Sequence, residues 1–543
     1  MLTPFRASLF FVPLCLVLRF LWDRLSKRWH LYQVRGPPPQ GFVMGNLGQL
    51  YSPTAQSFLS EIDEGSPSAV KLSGYMGDTQ LYVVDAYATS QILSRPDVYA
   101  PTDLYVQGNL MVFGKGLLST LGSRHKRQRK MISSAFSTAS LRDMYPLMRQ
   151  VLLTVRERLG DKIECNFEEI DMLRLATKAA LEIVGHAGLG YSFDVFNKEE
   201  HPYSKVIHDL VPQIFSLFVF RQGLMGIIDY IPRFVTNLFL NNVPWPKVRR
   251  IHRLIKIMDA ETWNVYSEKV ELLKGGDGPA IGDSVGHGKD ILSIIMKMND
   301  RAPAEEKLSE EEILGQISTL IFTATDTAAG AIVRALDQLA RVPSAQDNLR
   351  REIVESGKEG GGQISYDVIS ALPFLDAVCR ESLRLGTPVP ILTRTTKEDT
   401  ILHFSKPIVG KNGKNIEIIK VPCNTNVVVS LRSINRNTEI WGPDADEFNP
   451  ERWFNLPEYF LKNRLPGSYT NSMTFSGGPK GCIAFRFMEL ELKATLAVLI
   501  EAFEFSPAEQ PVHWYTKGIQ KPAVNVQAPA SLPIKIKRIG NSV

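Results

Sequence analysis

The stretch FSGGPKGCIAF, residues 475 to 485, places one cysteine among three glycines, a proline and a lysine. Gly477, Gly478 and Gly481 permit positive φ and let backbone approach a flat object closely, while Pro479 stiffens the turn. Ala484 to Phe505 recurs with a helical period, which puts Cys482 just ahead of a helix N-terminus. Free N–H groups and the helix dipole favour a thiolate there. A thiolate on such a loop suits the axial position of haem iron. The other cysteines, Cys15, Cys165, Cys379 and Cys423, are scattered without C-x-x-C spacing and read as small buried hydrophobes. Five widely spread cysteines argue against a disulfide framework or a zinc site and for a reducing compartment.

Three further constellations can carry chemistry. From Ile313 to Val333 the only charge is Asp326, so a helix there is surrounded by apolar material. A membrane span is one reading, but Gln316, Ser318, Thr319, Thr323, Thr325 and Thr327 make a poor lipid face and a good lining for a buried polar groove. Threonine hydroxyls that bond back one turn open the helix for a small ligand. Asp326 drawing protons from water and Thr327 handing them on would form a proton relay. In FLDAVCRESLRL, Glu381 falls on the apolar face between Phe374 and Leu385, where a carboxylate must be paired. Arg384 supplies one partner and Arg452 of FNPERW is the candidate for the second, a bracing triad with no catalytic part. In Arg124 to Lys130, His125 and Arg129 share one helical face and can hold buried anionic groups, while Lys126, Arg127 and Lys130 point elsewhere.

The elements that position these groups are mostly helical. The chain has 543 residues, 44% hydrophobic and 22% charged, with net charge +5, an ordinary folded composition with mild basicity that suits an acidic partner or an anionic membrane better than nucleic acid. No repeat or low-complexity tract divides it, so one large domain over 49–543 is expected. Ala69 to Val84 suggests a hairpin, as does Lys411 to Lys414 within the β-like Ile401 to Val429. Residues 140 to 190 and 205 to 270 carry helical periodicity, and the six glycines of Lys274 to Lys289 mark a surface loop. Ser309-Glu-Glu-Glu312 is a capping box opening a helix to about Arg341. The last thirty residues alternate, so a small β region near each end brackets a helical body.

Residues 1–30 read as an anchor. Leu9 to Trp22 is apolar except for Arg19, and Trp22, Arg24, Lys27, Arg28 and Trp29 form an aromatic and basic flank without a cleavage site. Arg19 can snorkel toward that flank. The charge bias keeps the body of the protein cytosolic. Residues 31–48, with Gly36 to Pro39, read as a stiff proline-rich hinge.

With these motifs in hand, the sequence resembles the cytochrome P-450 superfamily of haem-thiolate monooxygenases, in its membrane-bound fungal type, over about residues 35 to 540. Phe475, Gly478, Lys480, Cys482 and Ala484 match the family's cysteine-loop pattern in register, with Ala484 in the place of a commoner glycine. His125 and Arg129 look like the propionate-binding helix, Thr323 to Thr327 like the oxygen-groove motif, with Ala324 where glycine is usual, and Glu381, Arg384 and Arg452 like the buried triad. Arg394 stands where a second propionate ligand is expected. The resemblance implies a mainly α fold with small β-sheets, haem b as cofactor, Cys482 as iron ligand, protons delivered through Asp326 and Thr327, and oxygen insertion into a C–H bond.

Nothing in the chain resembles a flavin or nicotinamide fingerprint, so electrons from NADPH are expected through a cytochrome P-450 reductase, with cytochrome b5 as a further donor. Lys126, Arg127, Lys130, Arg486 and Lys493 form a candidate docking face. Localisation is expected at the endoplasmic reticulum membrane, single-pass. The apolar segment Pro212 to Asn241 is expected to roof a channel opening to lipid, with Tyr105 to Val112, Pro388 to Thr393 and Gly518 to Gln520 lining a pocket for an apolar substrate such as a terpenoid, steroid or polyketide. Two other classes stay open: a reductase-independent haem-thiolate isomerase or peroxygenase, and a non-catalytic membrane-tethered haem-binding protein.

Overall fold

The computed structural model describes residues 22, 24–65, 67–163, 167–197, 201–217, 245–274, 285–286, 288–359, 364–458, 460, 465–469 and 471–539. The expected anchor Leu9 to Trp22, except Trp22, lies outside these residues, as do most of the expected roof Pro212 to Asn241 and of the glycine-rich loop Lys274 to Lys289. The described residues divide into two compact units. One comprises residues 1–102, 389–443 and 462–481, and the other residues 103–388, 444–461 and 482–543, so the chain passes between them repeatedly.

The first unit is built on a five-stranded sheet in the order β1-β2-β8-β5-β3. Its strands are β1 (Ala69–Ser73), β2 (Thr79–Val83), β3 (Tyr99–Pro101), β5 (Ile391–Thr396) and β8 (Asn426–Ser430). β1 and β2 form the expected hairpin with Ala69 opposite Val83, and β2 runs parallel to β8. Two of the five strands come from residues 391–430, so the sheet is not a feature of the chain's ends. Hydrophobic alternation marks a strand but does not say which strand it will lie beside. β6 (Thr400–Val409) and β7 (Asn415–Val421) make the second hairpin. Helix α1 (Ala86–Ser94) is capped by Asp85, whose carboxylate accepts from the Ala88 N–H. β9 (Gly467–Tyr469) pairs with β10 (Ser472–Gly477), which leads into the cysteine loop.

The N-terminal flank is fastened rather than free. Residues 24–30 are helical, Lys27 is buried with its ammonium 3.0 Å from Asp78 Oδ1, and Arg24 donates to the Tyr75 carbonyl at 2.7 Å. Two cations of the basic flank therefore bind the β1–β2 turn. The proline-rich segment docks too: the Arg35 carbonyl accepts from Lys71 N–H at 2.7 Å, and the Pro38 carbonyl accepts from Asn46 Nδ2 at 2.9 Å.

The second unit is mainly helical. Its principal helices are α2 (Gly122–Ser133), α3 (Thr138–Gly160), α4 (Met172–Ile183), α5 (Pro202–Ser216), α6 (Pro246–Lys274), α7 (Glu310–Arg341), α8 (Pro343–Glu359), α9 (Pro373–Leu385) and α10 (Phe485–Ala502). β4 (Glu168–Asp171) interrupts the stretch expected to be helical and joins the sheet β11-β14-β4, with β11 (Phe503–Pro507) and β14 (Pro533–Arg538). Four residues without alternation carry no strand signal; β14 recruits them by pairing Ile534 opposite Ile170. β12 (His513–Lys517) and β13 (Ile519–Ala523) form a hairpin.

Helix α7 is the axis of this unit. Ser309 Oγ accepts from the Glu312 N–H while the Glu312 side chain accepts from the Ser309 N–H, so the capping box is present at both contacts. Its residues from Ile321 to Ala340 are almost all buried, as expected of a helix apolar on nearly every side. Among the described residues, no helix is long and apolar enough to cross a membrane.

Candidate active site

The cysteine loop is held from below in the first unit. Buried Asn435 stands in for a strand partner, its Oδ1 accepting from the Met473 N–H at 2.7 Å and its Nδ2 donating to Thr474 Oγ1 at 3.0 Å. Phe475 packs edge-on against Tyr469 with ring centroids 5.5 Å apart. Residues Gly478–Lys480 form a 3₁₀ turn ending at Lys480. The glycines answer to protein rather than to a flat ligand. A Cβ on Gly477 would stand 1.8 Å from the Pro466 carbonyl oxygen, and one on Gly478, whose φ is +67°, would stand 2.1 Å from that of Leu93. Only Gly478 of the three takes a positive φ, and Ser476 adopts one as well. Arg394 lies buried on β5, where its Nη1 donates to the Thr393 carbonyl at 3.1 Å.

Cys482 opens the second unit's last segment, just ahead of α10. Its thiol is pushed up from the ordinary value by desolvation, against which the Ala484 N–H and the Arg129 guanidinium pull it down. Desolvation outweighs one N–H donor and one partly buried cation, opposite in direction to the lowering expected at a helix N-terminus. The residue nevertheless keeps accessible surface. Arg129 is itself lowered by burial and raised by Cys482, and His125 one turn earlier is buried. An exposed cysteine whose thiol feels both an N–H donor and a cation fits a haem: a coordinating metal ion deprotonates a thiol outright, and Arg129 suits anionic propionates.

In α7, Thr319, Thr323, Thr325 and Thr327 each donate to the carbonyl four residues earlier at 2.6 to 2.7 Å. Thr327 Oγ1 is thereby committed to the Thr323 carbonyl, and buried Asp326 has Oδ1 2.7 Å from Lys521 Nζ. No sequence signal pointed to Lys521. Gln316, read as groove lining, is instead bonded to Gln128 Oε1 and to the Leu117 N–H. Of the expected pocket segments, Pro388 and Gln520 meet directly, the Gln520 N–H donating to the Pro388 carbonyl at 2.9 Å.

Glu381 and Arg384 are fully buried. Arg384 Nε and Nη2 reach Glu381 Oε2 and Oε1 at 2.8 and 2.7 Å, and Arg452 Nε reaches Oε1 at 3.3 Å. Sequence reasoning missed the rest of the network. The Trp453 indole N–H donates to Glu381 Oε2 at 3.0 Å and the Asn449 N–H to Oε1 at 3.1 Å. Asp444 grips both terminal nitrogens of Arg452 at 2.7 Å, and that guanidinium holds the Asp444 carboxyl down at about 2. Trp453 was legible as the neighbour of Arg452; Asp444 was not.

The basic face is smaller than its sequence. Arg127 Nη2 reaches both oxygens of Glu312 at 2.6 and 2.7 Å, and Lys493, 4% exposed at its side chain, lies 2.8 Å from Asp376 and 2.9 Å from Glu489. Lys126, Lys130 and Arg486 remain exposed.

The cytochrome P450 family profile matches residues 36–528. The chain is 39% identical to cytochrome P450 monooxygenase 91 of Postia placenta over 529 residues, 97% of each chain. It is 36% identical to cytochrome P450 monooxygenase 212 of the same fungus over 511 residues, 93% of each. Ganoderic acid synthetase CYP5150L8 of Ganoderma lucidum is 34% identical over 510 residues, 92% of this chain and 93% of that one. A profile match over residues 36–528 and relatives 34–39% identical over more than nine-tenths of the chain make this chain a member of the cytochrome P450 family of haem-dependent monooxygenases.

Proposed function

We propose that the chain inserts one oxygen atom from dioxygen into a C–H bond of a hydrophobic small molecule of the terpenoid, steroid or related secondary-metabolite class, with electrons passed from NADPH by a membrane flavoprotein reductase. The observation that carries the reading is Cys482, an exposed residue ahead of a helix whose thiol interacts with the Ala484 N–H and Arg129. The name of the Ganoderma relative, ganoderic acid synthetase, supports a role in small-molecule biosynthesis. Haem held by Cys482 supplies oxygen activation and C–H cleavage.

The protein's own residues bind, orient and move protons. Cys482 ligates through Sγ, and the Ala484 N–H tempers the charge on that sulfur. His125, Arg129, Arg394 and Lys480 receive the propionates, Lys480 as a point charge rather than a bidentate fork. Asp326 carries a proton at its carboxylate, and Thr327 hands it on when its hydroxyl leaves the Thr323 carbonyl. The Glu381 network braces α9 against the 3₁₀ turn Pro450–Trp453.

Membrane attachment through residues 1–30 at the endoplasmic reticulum, catalytic body in the cytosol, belongs to the same reading. Exposed Trp22 (72%), Trp29 (82%) and Phe42 (71%) support it, since bulky aromatics suit the interface. The reductase would meet Lys126, Lys130 and Arg486. Cys482→Ala expressed in microsomes should lose the carbon monoxide difference band of the reduced protein, while wild type with reductase oxidises members of a terpenoid and steroid panel. Retention of that band in the variant would remove Cys482 as ligand, and turnover unaffected by omitting reductase would remove the electron route.

A further inference from the structure

Lys521 lies on β13, far along the chain from Asp326, yet its Nζ stands 2.7 Å from Asp326 Oδ1. The contact is off the line that a hydrogen bond needs, and Asp326 Oδ2 is buried with no hydrogen-bond partner among the described residues. Three elements fix the place. The Gln520 N–H is tied to the Pro388 carbonyl. A Cβ on Gly518 would stand 2.3 Å from the Phe215 ring, so the β12–β13 turn rests against α5. A Cβ on Gly330 would stand 3.8 Å from the Gln520 carbonyl oxygen, so β13 runs beside α7.

His208 of α5 senses both charges. Its imidazole is lowered from the ordinary value by burial first and by Lys521 next, with Asp326, Asp171 and Asp209 acting the other way. Asp209 is itself paired with Arg250 at 2.6 Å, and His208 is half-buried. A carboxylate as deeply buried as Asp326 requires a compensating charge. On α7 itself, Asp326 is the only charge between Ile313 and Val333, so the compensation must come from another element.

We propose that Lys521 is the positioning residue of Asp326: it balances the carboxylate and fixes Oδ1, leaving Oδ2 as the oxygen open to a proton, with His208 as the titratable group beside the pair. The inference rests on Asp326 as a proton carrier. Lys521 touches neither substrate nor reacting atoms and acts through Asp326. Removing its charge leaves Asp326 buried without compensation, so the side chain turns toward whatever donor or water it can reach. Proton delivery then falls while electron input continues, and reducing equivalents are lost to peroxide. An arginine at 521 keeps the charge and restores the arrangement in part.

The test uses the reconstituted holoenzyme with K521M, K521R and D326N. Product per NADPH oxidised and peroxide formed are measured across neutral pH, and His208 is titrated by NMR in the diamagnetic carbonmonoxy ferrous form with labelled histidine, assigned through H208N. K521M should lower product per NADPH about tenfold, the low end of what loss of an outer-shell partner costs, and K521R should recover most of it. The His208 midpoint should rise in K521M and fall in D326N, which reports that both charges stand beside it, while the coupling loss in K521M and its recovery in K521R separate positioning from a merely structural role. K521M coupled as well as wild type, K521R failing to restore lost coupling, or a His208 midpoint unmoved in K521M would each overturn the inference while D326N still uncouples. If D326N itself stays fully coupled, the carrier role of Asp326 fails first.

Discussion

Gly478→Ala separates two costs that usually arrive together. Its φ of +67° disfavours any L side chain, a penalty of roughly 1–2 kcal/mol. The new Cβ would also stand 2.1 Å from the Leu93 carbonyl oxygen, where such contacts do not fall below 3.0 Å, so about 0.9 Å of backbone movement is needed. That oxygen belongs to the end of α1 and cannot rotate away like a flexible side chain. Forcing it aside costs about 1–3 kcal/mol more, the usual scale of overpacking. Gly413, in the β6–β7 turn, is the control: its φ is +75° and nothing lies within 4 Å of its added Cβ. Gly413→Ala therefore carries only the first cost. Thermal unfolding midpoints of the two variants, followed by circular dichroism and by the carbon monoxide difference band, should place Gly478→Ala well below Gly413→Ala, with weakened haem binding only in the former. Equal midpoints would refute the backbone-clash argument, because the two φ penalties match and only the contact differs.

Glu381→Gln removes the carboxylate charge opposite buried Arg384, while Arg452 keeps Asp444, and should cost about 3–5 kcal/mol; denaturation showing less than 1 kcal/mol would mean that hydrogen bonding without charge suffices there. Asp444, held at about 2 in the fold against an ordinary 3.8, contributes stability that is fully present above pH 3.8 and lost as pH falls through 2. The wild-type and Asp444→Asn unfolding curves should therefore differ at pH 5 and converge toward pH 2, and a gap that persists in acid would contradict the Arg452 pairing as its source. Thr327→Ala should keep the haem spectrum but reduce product per NADPH on the order of tenfold or more, measured as peroxide released; unchanged coupling would remove the hydroxyl from proton transfer.

Short-range stereochemistry was legible from the residues alone. The capping box at Ser309, the hairpin turns near residues 74–78 and 410–414, and the helix after Cys482 all depend on a few neighbouring residues, and the fold reproduces them. Glu381 was legible for a different reason: a carboxylate on an apolar face has to be paired, so its position demanded cations that the sequence could name. What it could not supply was Asn449 and the Asp444 clamp, since each reaches Glu381 or Arg452 through chain geometry rather than periodicity. The same limit hid Lys493, whose place on α10 looked exposed until Asp376 and Glu489 closed over it.

Residue order, then, determined which groups exist and which local turns and helices carry them: a cysteine before a helix, one acid in an apolar helix, a carboxylate that must be paired. Tertiary structure decided their electrical state and company. It desolvated Cys482 and so pushed its thiol up, brought Lys521 to Asp326, drew residues 168–171 into a sheet, and set Gly477 and Gly478 against neighbouring carbonyls. Turn and helix preferences act over a handful of residues, whereas desolvation and charge pairing depend on whatever the whole chain brings within a few ångströms.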